Sequence, residues 1–163
     1  MMAHKIMRPK FTFTRLPEIK LSQIQSHMND PRIAAHLPLL DGKWDMTTTE
    51  NFVTTKEGYW TRDGLGHWGI LANGQYIGWG GFQKEGTEWD YGLVLTADAF
   101  GMGHRVTTHA LDFAKSDPRI PYITFLLPPT RKNRSALSRI GATPDGTTHH
   151  GGHRFLKFKL ITT

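Results

Sequence analysis

The sequence contains no cysteine. This absence excludes disulfide bonds, cysteine nucleophiles and thiolate metal sites. The chain also has no apolar run that approaches the roughly 20 residues of a membrane span, and its first residues lack the apolar core of a secretory signal peptide. We therefore expect a soluble protein with no membrane partner and, by default, a cytoplasmic location.

Acidic residues are the scarcer charged class, with 14 Asp and Glu against 20 Lys and Arg, for a net charge of +6. An excess of positive charge indicates an anionic partner, either nucleic acid or a phosphorylated cofactor. No aromatic-rich RNA-binding motif and no array of basic helices accompanies the charge, so nucleic acid is the less favoured partner. A charge-driven nucleic-acid binder remains an alternative, and it predicts binding that weakens steeply with salt.

The length of 163 residues suits one domain that spans residues 1–163, and 38% apolar residues are enough for a globular core. The sequence has no internal repeat, low-complexity tract or linker. It does not decide the assembly state, and a homodimer is left open.

Strands are predicted where apolar residues alternate or form short runs between turn residues. These segments cover residues 11–15, 67–72, 75–82, 88–95, 122–127, 147–150 and 153–161. The pair Asn73-Gly74 favours a tight hairpin turn, and Gly86 leads to the next strand, which makes an antiparallel meander. Gly151-Gly152 forms the turn of the last hairpin. The glycines at 78, 80 and 81 indicate irregular or crowded strand backbone.

Helices are predicted where apolar residues recur every three or four positions. These segments begin at Leu21 and Pro31, follow a capping box formed by Thr47 and Glu50, and cover residues 102–116 and 131–140. The order of strand, helix and strand over residues 88–127 implies a parallel pair of strands. The whole pattern predicts an α/β fold with a mixed, largely antiparallel central sheet.

Two glycines, Gly101 and Gly103, separate the strand at 88–95 from the helix that follows. A helix start leaves about four unpaired N–H groups and carries partial positive charge, and glycines let phosphate oxygens approach the main chain. The segment lacks the third glycine of the dinucleotide fingerprint and the Gly-Lys-Ser/Thr ending of a P-loop. It predicts an anion site, with an ordinary tight loop as the alternative.

The glycine turn resembles the pyrophosphate-binding turn of the GNAT acetyltransferase superfamily, Gln/Arg-x-x-Gly-x-Gly/Ala, with Gly103 at the central glycine. Phe100 and Arg105 depart from that pattern. The segment Asn-Asp-Pro-Arg-Ile-Ala-Ala-His-Leu-Pro at residues 29–38 resembles the ribosomal-protein N-terminal (Rim-type) branch. Residues 130–142 resemble the family's later motif, roughly Asn-x-x-Ser-x-x-x-Leu-Glu-Lys-x-Gly-Phe. Three separated matches make the resemblance one to the GNAT fold from end to end.

The resemblance implies helices on both faces of the sheet and acetyl-CoA in an opening between the strands at 88–95 and 121–127. The pantetheine amides would pair with the main chain near Leu93 and Leu95, the pyrophosphate with N–H groups of residues 101–106, and either Thr130 or Asn133 would meet the pantetheine arm. The implied cofactor-binding residues are Leu93, Leu95, Phe100, Gly101, Met102, Gly103, His104, Arg105, Val106, Thr130 and Asn133.

The amine acceptor must lose a proton before it attacks the thioester, which calls for a general base. In the resemblance, Asp90 occupies the position where the Rim-type branch has a glutamate base, and its shorter side chain favours a water relay. The alternative is a structural strand carboxylate. Leu137 stands where a tyrosine acid is common, so Ser135 and Ser138 are the candidate proton donors, although helix serines more often cap or lie on a surface.

Three histidines, His149, His150 and His153, lie close together near the end of the chain. They permit a metal hypothesis, but Gly151-Gly152 between them favours a hairpin turn, and no metal is expected. These histidines could also line an acceptor pocket.

The resemblance thus implies an N-acetyltransferase that moves an acetyl group from acetyl-CoA directly to a primary amine. The acceptor is a protein N-terminus or a small-molecule amine. An α-amino group, with a pKa of about 8 against about 10.4 for lysine, suits a modest base. The alternative on the same fold is a non-catalytic CoA-binding or interaction module, which the departures at Phe100, Arg105 and Leu137 support.

Overall fold

The structure, a computed structural model, describes residues 8–35, 37, 42–131 and 135–163. Its strands are β1 (Phe11–Arg15), β2 (His67–Ala72), β3 (Gln75–Glu85), β4 (Glu88–Leu95), β5 (Tyr122–Leu127), β6 (Thr143–His150) and β7 (His153–Ile161). They form one seven-stranded sheet in the order β1-β2-β3-β4-β5-β7-β6. The sheet is mixed and largely antiparallel, as predicted.

Five α-helices accompany the sheet within the described residues: α1 (Leu21–Met28), α2 (Pro31–Ala34), α3 (Met46–Asp63), α4 (Gly103–Lys115) and α5 (Ser135–Arg139). Short 3₁₀ helices cover Leu16–Glu18 and Ala97–Met102. No helix in this part of the chain is long and apolar enough to cross a membrane.

The strand pairing confirms the predicted topology. β2 and β3 form an antiparallel hairpin around Asn73 (φ 50°) and Gly74 (φ 81°), the left-handed conformations that a tight turn requires. β3 and β4 continue the meander. β4 pairs with β5 in parallel, with α4 as the crossover between them.

Glycine is required where β3 passes β4. A Cβ atom at Gly80 would overlap the carbonyl oxygen of Gly92 on the neighbouring strand. This confirms the prediction of crowded backbone in β3. Because the two backbones come this close, β3 and β4 can pair next to the candidate site described below.

The two faces of the sheet carry separate parts of the core. Phe82, Trp89 and Tyr91 pack against Ala110 and Ala114 of α4 on one face. The other face packs against α1 and α3, through buried residues that include Ile24, Val53 and Trp79. Helices therefore cover both faces, as expected.

The predicted capping box of α3 is wrong. The helix begins at Met46 and its N-cap is Asp45, whose Oδ1 accepts a hydrogen bond of 2.7 Å from the N–H of Thr48. Thr47 lies inside the first turn. A carboxylate is favoured at this position because it also interacts with the positive end of the helix dipole.

Three later elements differ from their predicted bounds. The helix predicted over residues 131–140 is described only as α5, and residues 132–134 lie outside the described residues. β6 begins at Thr143 rather than at 147, with an irregular register between Pro144 and Thr147. The glycine turn is not a simple loop, because the 3₁₀ helix Ala97–Met102 includes Gly101.

Candidate functional site

The site is built around the separation of β4 and β5. These parallel strands pair only at Trp89 with Ile123 and at Asp90 with Thr124. Beyond Asp90 the strands part, so residues 91–95 of β4 have no strand partner on the side that faces β5. Their main-chain amides and carbonyls therefore border an opening, which is where the sequence predicted it.

A cavity of about 910 Å³ occupies the outer part of this opening and is called the outer cavity. Its walls come from α2, the end of β4, the start of α4, the segment after β5 and the last hairpin. The lining residues are Ile33, Ala34, Ala35, Leu37, Leu93, Val94, Leu95, Phe100, Gly103, Pro128, Pro129, Thr130, Arg131, His153 and Arg154. Arg131 and Arg154 give this cavity a positive wall.

A second cavity of about 620 Å³, called the inner cavity, continues from the first one to Asp90. The two cavities are parts of one opening, because seven residues line both, namely Leu37, Leu93, Val94, Phe100, Gly103, Pro128 and Arg131. Asp90 lies at the inner end of this opening, as the last residue of β4 that pairs with β5 before the two strands separate. A ligand that runs along β4 would therefore end beside a carboxyl group.

Five of the predicted cofactor-binding residues line the outer cavity, namely Leu93, Leu95, Phe100, Gly103 and Thr130. His104 lines the inner one. Val106 does not face either cavity, because its side chain is fully buried in the core. As the fourth residue of α4, it also stands where intrahelical hydrogen bonding begins. Asn133 lies outside the described residues.

Gly101 and Gly103 leave open space at the start of α4. A Cβ atom at Gly101 would meet no protein atom within 4 Å, and one at Gly103 would meet only Leu95, at 3.8 Å. Neither glycine has a positive φ. The fold itself therefore does not require glycine here, whereas close approach of a ligand to the main chain would.

The carboxyl group of Asp90 has an unusual environment. Burial raises its pKa to about 7, and the negative charges of Glu85 and Glu88 act in the same direction. A hydrogen bond of 3.0 Å, donated by Thr124 Oγ1 to Asp90 Oδ1, and the charge of Lys157 oppose this rise. A carboxyl group with this pKa can both accept and release a proton near neutral pH.

Two further polar side chains share this face of the sheet. Gln83 of β3 lies directly opposite Asp90, and its Oε1 accepts a hydrogen bond of 3.0 Å from Lys56 Nζ on α3. Burial lowers the pKa of Lys56 to about 8, while the charges of Glu85 and Asp90 oppose this. The ammonium group and Asp90 line the same cavity.

Lys56 and Thr124 were not predicted from the sequence. Lys56 lies four residues after Phe52 and three before Tyr59, so the three side chains share one helix face. That spacing was a signal that could have drawn attention to it. Thr124 gave no local signal, because the strand register alone brings it to Asp90.

Of the other predicted polar residues, His150 lines the inner cavity together with Asp90 and His153 lines the outer one, whereas Ser135 lies apart. Ser135 is exposed at the start of α5, lines neither cavity, and its Oγ accepts a hydrogen bond from Arg139 Nη2. Its role as a proton donor stays a prediction. His149, His150 and His153 flank the turn of the last hairpin, and among the described residues no group of three metal-ligating side chains is found.

No protein-family model matches the sequence, and no curated protein matches it. Solved structures do match. A GNAT-family acetyltransferase from Bacillus anthracis has 15% sequence identity and a TM-score of 0.72, with 95% of each chain covered. The chain has the fold of the GNAT acetyltransferases.

Two further neighbours of this GNAT fold were solved with ligands. An aminoglycoside acetyltransferase in complex with coenzyme A and kanamycin has 12% identity, covers 93% of this chain and 95% of its own, and has a TM-score of 0.75. The ribosomal L7/L12 α-N-protein acetyltransferase in complex with coenzyme A has 14% identity, 93% coverage of both chains and a TM-score of 0.73. The Rim-type branch is therefore one neighbour among several.

Proposed function

We propose that this protein is an N-acetyltransferase that moves an acetyl group from acetyl-CoA directly to a primary amine. The observation that carries this proposal is the separation of β4 and β5 immediately beyond Asp90. An open strand edge, a helix start with room above Gly103, and a half-buried carboxyl group lie along one continuous opening.

The residues along the outer cavity fit acetyl-CoA. The unpaired edge of β4 near Leu93 and Leu95 offers amides and carbonyls to a pantetheine chain. The first turn of α4 would offer N–H groups to a pyrophosphate, and the open space beside Gly103, which lines the outer cavity, would admit it. Arg105, which is exposed on the same turn, supplies positive charge.

The acetyl thioester supplies the electrophile when it is bound, and Asp90 is the proposed general base. Because its pKa is raised to about 7, Asp90 is a stronger base than an ordinary aspartate. It would take a proton from the amine, directly or through one water molecule, as the nitrogen bonds to the acetyl carbon and the carbon–sulfur bond breaks. The departing thiolate, with an ordinary pKa near 8.5, can take its proton from water.

Thr124 is proposed to position this base. Its hydroxyl group donates to Asp90 Oδ1, which fixes one carboxyl oxygen and leaves the other for the acceptor. The side chain of Thr124 is buried, so this hydrogen bond is protected from competition with water.

The acceptor is proposed to be a protein N-terminus or a small-molecule amine. Both kinds occur among the neighbours, since one acts on a ribosomal protein and another holds kanamycin. An α-amino group, with a pKa of about 8, requires less help from a base than a lysine side chain does.

A test must separate an enzyme from a binding module on the same fold. Acetyl-CoA at 100 times its dissociation constant should stabilise the protein by about 2.7 kcal/mol in thermal unfolding, whereas ATP and NAD should have little effect. The release of CoA thiol with a panel of amines then reports turnover. Binding without thiol release for any amine would favour the module, and no binding at millimolar acetyl-CoA would contradict the proposal.

The variant Asp90→Asn sharpens this test, because asparagine keeps the shape of the side chain and removes the base. We expect acetyl-CoA affinity to stay within a few fold while thiol release falls by about 100-fold or more. The matched control is Asp98→Asn, since Asp98 is an exposed carboxylate that lines neither cavity. Unchanged turnover in Asp90→Asn would remove Asp90 from the mechanism.

A further inference from the structure

Lys56 is a cation held inside the opening and not used by the proposed mechanism. Its Nζ lies 5.7 Å from the ring centroid of Phe52, 5.8 Å from that of Tyr59 and 5.1 Å from that of Trp79. These rings surround the ammonium group on the side of α3 and β3. They leave it directed toward the cavity that it lines together with Asp90.

Within the described residues, Lys56 has no counterion in direct contact, and the charges of Glu85 and Asp90 act on it from beyond ion-pair distance. Its one hydrogen bond within the described part of the chain goes to Gln83 Oε1, a neutral acceptor. No carboxylate of a described residue lies within ion-pair distance of Nζ. Lys157 provides the contrast, because its Nζ lies 2.6 Å from Glu88 and 3.8 Å from Asp145.

An ammonium group has three N–H donors, so Lys56 retains two after its bond to Gln83. Removing a charge from water without a paired carboxylate costs free energy. Rings on one side compensate for this only in part. The two remaining donors can therefore bind an anionic group that enters the cavity.

The strand register sets the distance between this cation and the proposed base. Gln83 and Asp90 are directly opposed residues of β3 and β4, with Cβ atoms roughly 5 Å apart. The side chain of Gln83 therefore lies between the ammonium group of Lys56 and the strand that carries Asp90. A small acceptor can reach both at once if few bonds separate its amine from its negative group.

We propose that Lys56 binds a carboxylate of the acceptor, so that the substrate is an amine with a carboxylate close to its amino group. This inference rests on the proposed acetyl transfer. A carboxylate carries one negative charge, which the ammonium group of Lys56 matches. The same chemistry is found in a free amino acid and in a peptide that begins with an acidic residue.

Lys56 also disfavours the opposite class of acceptor. A polycationic amine would bring further positive charge next to the half-buried ammonium group of Lys56, and like charges repel at short range. The kanamycin held by one structural neighbour is an amine of a different type from the acceptor inferred for this chain. The two proteins share a fold at 12% identity, which leaves room for different acceptor pockets.

The test compares acceptors that differ only in a carboxylate and a carboxamide. The pairs are glycine with glycinamide, β-alanine with β-alaninamide, and a peptide that begins with Asp with the same peptide that begins with Asn. The value of kcat/KM is measured for each member with the wild type and with Lys56→Met. The preference of each protein is the ratio of kcat/KM for the carboxylate member to that for the carboxamide member. Dividing the wild-type preference by that of Lys56→Met cancels the intrinsic difference in amine reactivity within each pair.

We expect the wild type to prefer the carboxylate member of at least one pair, and Lys56→Met to lower that preference about 10-fold or more, as for the loss of a charge-assisted hydrogen bond. Lys56→Gln serves as a second neutral variant if Lys56→Met does not fold. Lys84→Met is the matched control, because Lys84 Nζ also lies over a ring, that of Trp89, but the residue lines neither cavity. This control should leave the preference unchanged.

The outcomes separate this inference from the function on which it rests. If amines are acetylated but the preference is the same in the wild type and in both Lys56 variants, the inference is wrong and the acetyltransferase function stands. Preference for polyamines in the wild type would also overturn it. If acetyl-CoA binds but no amine in any pair is acetylated, both fail. The pair with the larger effect shows whether the source of the carboxylate is a free amino acid or a peptide.

Discussion

Replacing Asp90 by asparagine should stabilise the folded protein at neutral pH while it removes activity. Burial raises the pKa of Asp90 from 3.8 to about 7 in the folded protein, whereas the unfolded chain keeps the ordinary value. Between these pKa values the folded protein holds a proton that the unfolded chain has lost. The free energy of unfolding therefore decreases as the pH rises from about 4 to about 7.

The size of this effect follows from the shift of about three pKa units. Each unit corresponds to 1.36 kcal/mol, so ionisation of Asp90 costs the folded wild type up to about 4 kcal/mol at pH 7 and above. The stability contribution of the protonated form is fully present below pH 4 and is lost by pH 7. Asparagine does not ionise, and its Oδ1 can still accept the hydrogen bond from Thr124.

Urea unfolding of the wild type and of Asp90→Asn at intervals between pH 4 and pH 8 measures this difference. We expect the variant and the wild type to be nearly equal at pH 4, and the variant to become more stable by about 1 kcal/mol for each pH unit until the difference levels off near pH 7. Titrations elsewhere in the chain cancel because both proteins share them. A difference that does not depend on pH would refute the raised pKa of Asp90 and the argument for its role as a base.

Three further substitutions test separate parts of the structure. Gly103→Ala should leave the free energy of unfolding unchanged or raise it by up to about 1 kcal/mol, because the φ of Gly103, −55°, is helical. The same substitution should weaken the binding of acetyl-CoA, measured by calorimetry. An unchanged affinity would contradict a close approach of the ligand to Gly103. Thr124→Val removes the hydrogen bond that lowers the pKa of Asp90, so the acidic limb of the pH profile of kcat/KM should move to higher pH. An acidic limb at the wild-type pH would contradict the proposed role of Thr124. Gly80→Ala should destabilise the protein by at least about 2 kcal/mol in urea unfolding, because the new Cβ overlaps the carbonyl of Gly92; wild-type stability would mean that the strands can separate freely.

Much of the sheet could be predicted because its signals are local. The alternation along each strand and the Asn73-Gly74 turn specify the hairpin and the meander, and the helix between residues 103 and 115 specifies the parallel crossover. The cap of α3 was harder, because Asp45 and Thr47 are both good capping residues. Only the three-dimensional start of the helix decides between them.

The candidate site could be predicted only in part. Asp90 was found because a family resemblance gave its position a role, and the glycines were found because their spacing is local. Thr124 is 34 positions away from Asp90 and reaches it through the register of a parallel pair. The approach of Lys56 to Gln83 depends on how α3 packs on the sheet. Contacts of this kind depend on tertiary packing, which no short stretch of sequence encodes.

If the proposed function is correct, an amine is acetylated beside Asp90 at the expense of acetyl-CoA. The most direct measurement is mass spectrometry of a mixture of the protein, acetyl-CoA and an amine with a nearby carboxylate, together with an assay of free CoA thiol. We expect one acetylated amine for each thiol released by the wild type, and a strong loss of both with Asp90→Asn. Thiol release without an acetylated amine, or equal product with both proteins, would contradict it.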